Sequence, residues 1–137
     1  MKKIVLILIA VVGFNFGNQL SAQESTSIKF VTLVHDFGDF KEIDGKVSYD
    51  FEFTNNGKTP LIVTNVNPSC GCTTPDWTKE PIAPGKKGYV KATYDPKSRP
   101  GKFSKTITVT TNVDKPVVLT IKGNVEPKPI DPELLKE

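Results

Sequence analysis

Along residues 47–54 apolar and polar side chains alternate without interruption: Val47, Tyr49, Phe51 and Phe53 on one side, Ser48, Asp50, Glu52 and Thr54 on the other. A period of two is that of a β-strand with one face turned to a core and one to water. Weaker versions recur. Residues 88–94 put Val90, Ala92 and Tyr94 on one face, and residues 103–111 oppose Phe103, Ile107 and Val109 to Ser104, Thr106, Thr108 and Thr110. Residues 28–34 and 61–66 are rich in β-branched residues, and Val117, Leu119 and Ile121 open a last strand that runs to about Val125. His35-Asp36-Phe37-Gly38 is expected to break the first strand, with pairing resumed over residues 40–43.

Turn signals separate these runs. Asp44-Gly45 is a hairpin signal, because both positions tolerate positive φ. Asn56-Gly57 and Pro100-Gly101 turn the chain again, and Pro84-Gly85 has the order of a type II turn. Residues 67–79, which hold Cys70, Cys72 and Trp77, read as a long irregular loop. The count is about seven short strands with no helical periodicity, which predicts an all-β, two-layer antiparallel sandwich. A closed barrel is the alternative with the same strand count.

The two ends depart from this pattern. Met1, Lys2 and Lys3 precede an apolar run over residues 4–12, and Leu20-Ser21-Ala22 offers a small residue before Gln23. That is the pattern of a secretory signal peptide over residues 1–22, cleaved after Ala22. The alternative, a retained anchor, needs about 20 apolar residues, more than the run supplies. No cysteine follows the run that would carry a lipoprotein anchor. The sandwich is assigned to residues 23–125, and residues 126–137 form a tail in which Pro127, Pro129 and Pro132 prevent regular pairing. The tail is expected to be disordered, the alternative being one helical turn capped at Asp131.

Charge narrows the partners. Of 137 residues, 18 are basic and 15 acidic, a net charge of +3. Loss of residues 1–22 removes Lys2 and Lys3 and leaves 16 basic against 15 acidic residues, near neutrality. No basic run survives to favour nucleic acid or a lipid surface. A single histidine limits acid–base and metal chemistry. Neither G-x-S-x-G nor H-E-x-x-H occurs, and Asp36-Phe37-Gly38 lacks the phosphate loop that would give it a kinase meaning. Asp36, Asp39, Glu42 and Asp44 match no calcium-loop spacing. The expectation is therefore a protein that is not an enzyme.

The landmarks occur in a familiar order: His35-Asp36-Phe37-Gly38, residues 51–55, Ser69-Cys70-Gly71-Cys72-Thr73, Ile82-Ala83-Pro84-Gly85, Gly101-Lys102-Phe103 and Thr111-Asn112. This resembles a family of secreted bacterial proteins classed as domain of unknown function 1573. Ser-Cys-Gly-Cys-Thr is its most specific motif. The proline-glycine turn and the later phenylalanine are shared more widely, with domains of the major sperm protein and Hydin type. The resemblance implies an immunoglobulin-like sandwich without known catalysis, and supplies no ligand.

Cys70 and Cys72 are the whole cysteine complement, two residues apart with Gly71 between them. An internal disulfide is one state, made easier by the backbone freedom of Gly71. A soft-metal site is a second: two thiolates with His35 would suit copper(I), provided the fold brings them together. Thiol–disulfide exchange with a partner is a third, and a reduced, space-filling pair the fourth. Trp77 is either an exposed binding aromatic or a cover for the core. The leading expectation is a periplasmic or secreted, non-enzymatic module that binds a protein or cell-envelope component. It would bind through an edge strand or through the loop carrying Thr73, Thr74 and Trp77. A periplasmic copper-binding or thiol-redox protein acting through Cys70 and Cys72 is the alternative.

Overall fold

The computed structural model describes residues 27–131; residues 1–22, where a signal peptide is expected, and residues 132–137 of the tail lie outside the described residues. Eight strands occur in the order β1 (Ile28–Phe30), β2 (Val34–Lys41), β3 (Val47–Asn55), β4 (Val63–Pro68), β5 (Thr73–Trp77), β6 (Lys87–Tyr94), β7 (Gly101–Thr111) and β8 (Val117–Glu126). They form two four-stranded sheets, β1-β3-β6-β5 and β2-β8-β7-β4. The architecture is an immunoglobulin-like sandwich, as the alternation predicts. Residues 127–131 carry no regular structure.

The core lies between the sheets. Phe51, Phe53, Val90 and Ala92 from the first sheet and Ile107, Val109, Leu119 and Ile121 from the second have no exposed surface. These are the positions that period-two alternation turns inward. Gly88 shares the inward register of β6, and the Phe53 ring and Ile82 fill the space its side chain would take.

Three local expectations are corrected. First, His35-Asp36-Phe37-Gly38 does not interrupt a strand. The interruption falls at residues 31–33, where the chain leaves β1 in one sheet for β2 in the other. Second, β2 pairs with β8 in parallel, so one ladder of the sandwich is not antiparallel. Its register slips by one residue between Asp36 and Asp39. That slip is a bulge. Gly38 takes φ +67°, and its N–H donates to Asp36 Oδ1 at 2.8 Å. The extra residue moves the inward position from 39 to 40, which keeps His35, Phe37 and Phe40 all turned toward the core. Third, Asp44-Gly45 does not close a hairpin. Glu42–Asp44 is a 3-10 turn, Gly45 has φ +84°, and the segment carries the chain from β2 back to the other sheet.

One inward position of β3 is polar. Asn55 is wholly buried, and its amide donates to the carbonyls of Thr59 and Ile82, each at 2.8 Å. Its Oδ1 accepts from Gly57 N at 2.9 Å, while its backbone pairs with Lys86 O and Gly85 N. All three side-chain bonds join the end of β3 to the two loops that follow β3 and precede β6. Asn112 repeats the device more openly, bonding Ile62 N at 2.8 Å and Pro60 O at 3.3 Å.

Candidate functional site

At the opposite end of the sandwich, β4 passes into β5 through the turn Ser69-Cys70-Gly71-Cys72, which crosses from one sheet to the other. The segment expected as a loop is thus mostly strand: Thr73, Thr74 and Trp77 all lie in β5, paired with β6 in the register Thr73↔Tyr94 to Trp77↔Val90. Pairing prevailed because Thr73, Pro75 and Trp77 alternate inward, a pattern that Pro75 obscures in the sequence.

Cys70 and Cys72 are joined by a disulfide, with Cα atoms 5.3 Å apart. Backbone bonds hold the turn on every side. Thr73 N donates to Cys70 O at 3.3 Å, Asp95 N to Cys72 O at 2.9 Å and Ser69 N to Thr106 O at 2.9 Å. Ser69 Oγ accepts from Thr106 N at 3.1 Å. The two cysteines are unequally exposed: Cys70 is half-buried, and Cys72 is 6% exposed. The Thr73 hydroxyl, buried beneath them, stands 3.8 Å from Cys70 Sγ and 4.0 Å from Cys72 Sγ.

His35 is not part of this constellation. Its ring stacks on Tyr49 with centroids 3.6 Å apart and planes 8° apart, edge-on to Phe37. Partial burial lowers the pKa of His35, against the opposing pull of Asp36. Asp36 is also lowered, by the Gly38 N–H bond first and by the Lys122 ammonium 3.6 Å away. Among the described residues no three His, Cys, Asp or Glu side chains gather as metal ligands. The proposed set of Cys70, Cys72 and His35 fails on two counts: the sulfurs are bonded to each other, and the imidazole is held in an aromatic stack.

Trp77 closes the side of the core. Its indole N–H donates to Val63 O of the facing sheet at 3.3 Å, and the Lys79 ammonium lies 2.8 Å above the ring centroid. That cation covers the aromatic face a sugar would need. Thr74 alone of the three loop candidates is solvent-exposed.

Strand addition is hindered at each edge. In β5 the bonds at Cys72 and Thr78 turn the backbone polar groups of the even positions toward β6 and leave those of Thr73, Pro75 and Trp77 pointing to the free edge. Pro75 therefore removes an N–H where an added strand would need one. By the same alternation Pro68 is an outward position of β4. In β2 the Thr32 hydroxyl engages both Val34 O (2.9 Å) and Val34 N (3.3 Å), and the bulge follows. Strand β1 has three residues.

Several large apolar side chains are exposed, among them Ile43, Val113 and Ile130, and four others fall near one crossover. Val31 (77% exposed), Leu33 (48%) and Val34 (49%) line the crossover into β2, and Val118 (50%) stands on the neighbouring strand. Val34 pairs with Thr120, two residues from Val118 on the same outer face. Periodicity alone does not flag these residues, because Val31 and Leu33 read as strand interior. A separate open groove of about 400 Å³ is lined by Asp36, Asp39, Lys102, Lys122 and Asn124. Its charges largely satisfy one another, through the Asp36–Lys122 pair and an Asn124-to-Asp39 bond of 2.8 Å. No helix among the described residues is long and apolar enough to cross a membrane.

Comparison with known proteins agrees with this geometry. A family model described as "Protein of unknown function (DUF1573)" matches residues 28–125. No curated protein matches the sequence. Among solved structures, a protein of unknown function from Porphyromonas gingivalis W83 is similar at 17% identity and TM-score 0.62, over 76% of this chain and 51% of that one. The Vibrio cholerae VesB protease is similar at 18% identity and TM-score 0.61, over 72% of this chain and 32% of that one. The chain thus spans about half and about a third of those two proteins. The ASH/PapD-like domain 7 of human CEP192 is similar at 11% identity and TM-score 0.59, over 76% of this chain and 88% of that one. At these identities the likeness is one of fold.

Proposed function

The chain belongs to the DUF1573 family of proteins of unknown function, and on that premise we propose that it is a secreted, non-enzymatic binding module of the bacterial envelope. Its partner is a protein bearing an apolar patch. The observation that carries this reading is the cluster of Val31, Leu33, Val34 and Val118, four aliphatic side chains between 48% and 77% exposed around one crossover. Scattered surface apolar residues need no explanation, but three within four consecutive residues, beside a fourth on the adjacent strand, offer an interaction surface. The guarded edges favour contact by side chains over strand addition. The leader-like residues 1–22 and the disulfide both suit an oxidising compartment, the periplasm or the cell exterior. Copper binding finds no support in a site whose sulfurs are already paired.

Photo-crosslinking in the producing bacterium tests the proposal. A crosslinker at Leu33 or Val118 is expected to trap a discrete species that Val31→Glu abolishes. The same probe at Asp50 or Lys91, on the outer face of the other sheet, should trap none. Equal yields from both faces, or none from either, would end the proposal.

A further inference from the structure

The Cys70–Cys72 disulfide has no evident structural task. It closes a loop of two residues' separation, where the chain-entropy gain from a crosslink is smallest. Its turn is already tied by the backbone bonds of Ser69, Cys72 and Thr73. Cys70 is half-buried and Cys72 buried, and a buried hydroxyl lies within 4.0 Å of both sulfurs. Such unequal access assigns distinct roles: an incoming thiolate reaches Cys70 Sγ, and Cys72 Sγ is the leaving group.

We propose that Cys70–Cys72 is a thiol–disulfide exchange site for a protein dithiol, with Cys70 as the attacked sulfur and Thr73 as the positioning residue. One thiolate of the partner bonds to Cys70 Sγ. The Cys70–Cys72 bond breaks, its electron pair leaves on Cys72 Sγ, and that sulfur takes a proton from water. The partner's second thiol then loses its proton and attacks the partner's own sulfur in the mixed disulfide. Cys70 Sγ is released and protonated. The partner ends as a disulfide, and Cys70 and Cys72 have gained two electrons and two protons. The Thr73 hydroxyl donates to whichever sulfur carries negative charge, favouring the thiolate. This proposal is independent of the apolar patch, which lies at the β1–β2 crossover and on β8.

The test uses the folded protein with dithiothreitol as the dithiol and glutathione disulfide as the trap. Dithiothreitol should reduce the wild type under native conditions without changing its circular dichroism, and reoxidation should restore the bond. In Cys72→Ser the remaining Cys70 should take up one glutathione at least about tenfold faster than Cys72 does in Cys70→Ser. Reduction that requires denaturant, or equal rates for the two variants, would overturn the proposal. The role of Thr73 is read from the pH profile of Cys70 alkylation in the Cys72→Ser background. Thr73→Val should move the profile to higher pH and Thr73→Ser should restore it; an unmoved profile reduces Thr73 to packing. Urea midpoints of every variant distinguish loss of chemistry from loss of fold.

Discussion

The two ends of this sandwich are closed by different means. At one end Asn55, wholly buried, bonds two carbonyls and an N–H from adjoining loops. At the other, a disulfide spans a turn that backbone hydrogen bonds already hold. The noncovalent closure is expected to matter more to the stability of the fold than the covalent one. A buried amide cannot be removed without taking bonds from its partners, and each group left unpaired away from water costs about 1–3 kcal/mol. A crosslink between residues two apart restricts the unfolded chain very little.

Four variants would break or sharpen that contrast. The largest effect is expected from Asn55→Ala, which takes their partner from Thr59 O and Gly57 N and leaves Ile82 O with Leu61 N alone; the loss should be roughly 2–4 kcal/mol by urea unfolding. A loss near 1 kcal/mol would mean that water takes over the site. Next is Gly88→Ala at the same end. The new Cβ would sit 2.6 Å from Ile82 Cδ1 and from Phe53 Cζ. Overpacking of this kind costs about 1–3 kcal/mol, visible as a lowered thermal midpoint. The paired change Cys70→Ser with Cys72→Ser should cost at most about 2 kcal/mol. A larger loss would make the disulfide a structural staple and erase the difference between the ends. Smallest is Gly71→Ala, where an added Cβ meets nothing within 4 Å and φ is not positive. Its urea midpoint should match the wild type within about 0.5 kcal/mol, the range of an unconstrained surface change.

The same contrast separates what was legible in the chain. Alternation from Val47 to Phe53 predicted the strand, its inward face and so the core residues Phe51 and Phe53. Continued by two, it reaches Asn55, a polar residue at an inward position, and that mismatch was the available sign of a buried network. Where a strand departs from strict pairing the pattern misleads. The bulge at Gly38 makes His35-Asp36-Phe37-Gly38 look like a break, although Phe37 and Phe40 both reach the core. Pro75 makes β5 look like a loop, since a proline contradicts a central strand but not an edge position whose N–H faces outward.

Local sequence by itself determined the all-β class, most strand faces and the proximity of the two cysteines, because these depend on side-chain period and on separation along the chain. Only the tertiary structure decided that β2 runs parallel to β8, that His35 stacks on Tyr49 away from the sulfurs, and that Thr73 lies beneath both. It also decided that Val31, Leu33, Val34 and Val118 are left uncovered. Each of these depends on which strands become neighbours, and strand neighbours are chosen by burial summed over the whole sandwich. No short stretch of the chain contains that sum.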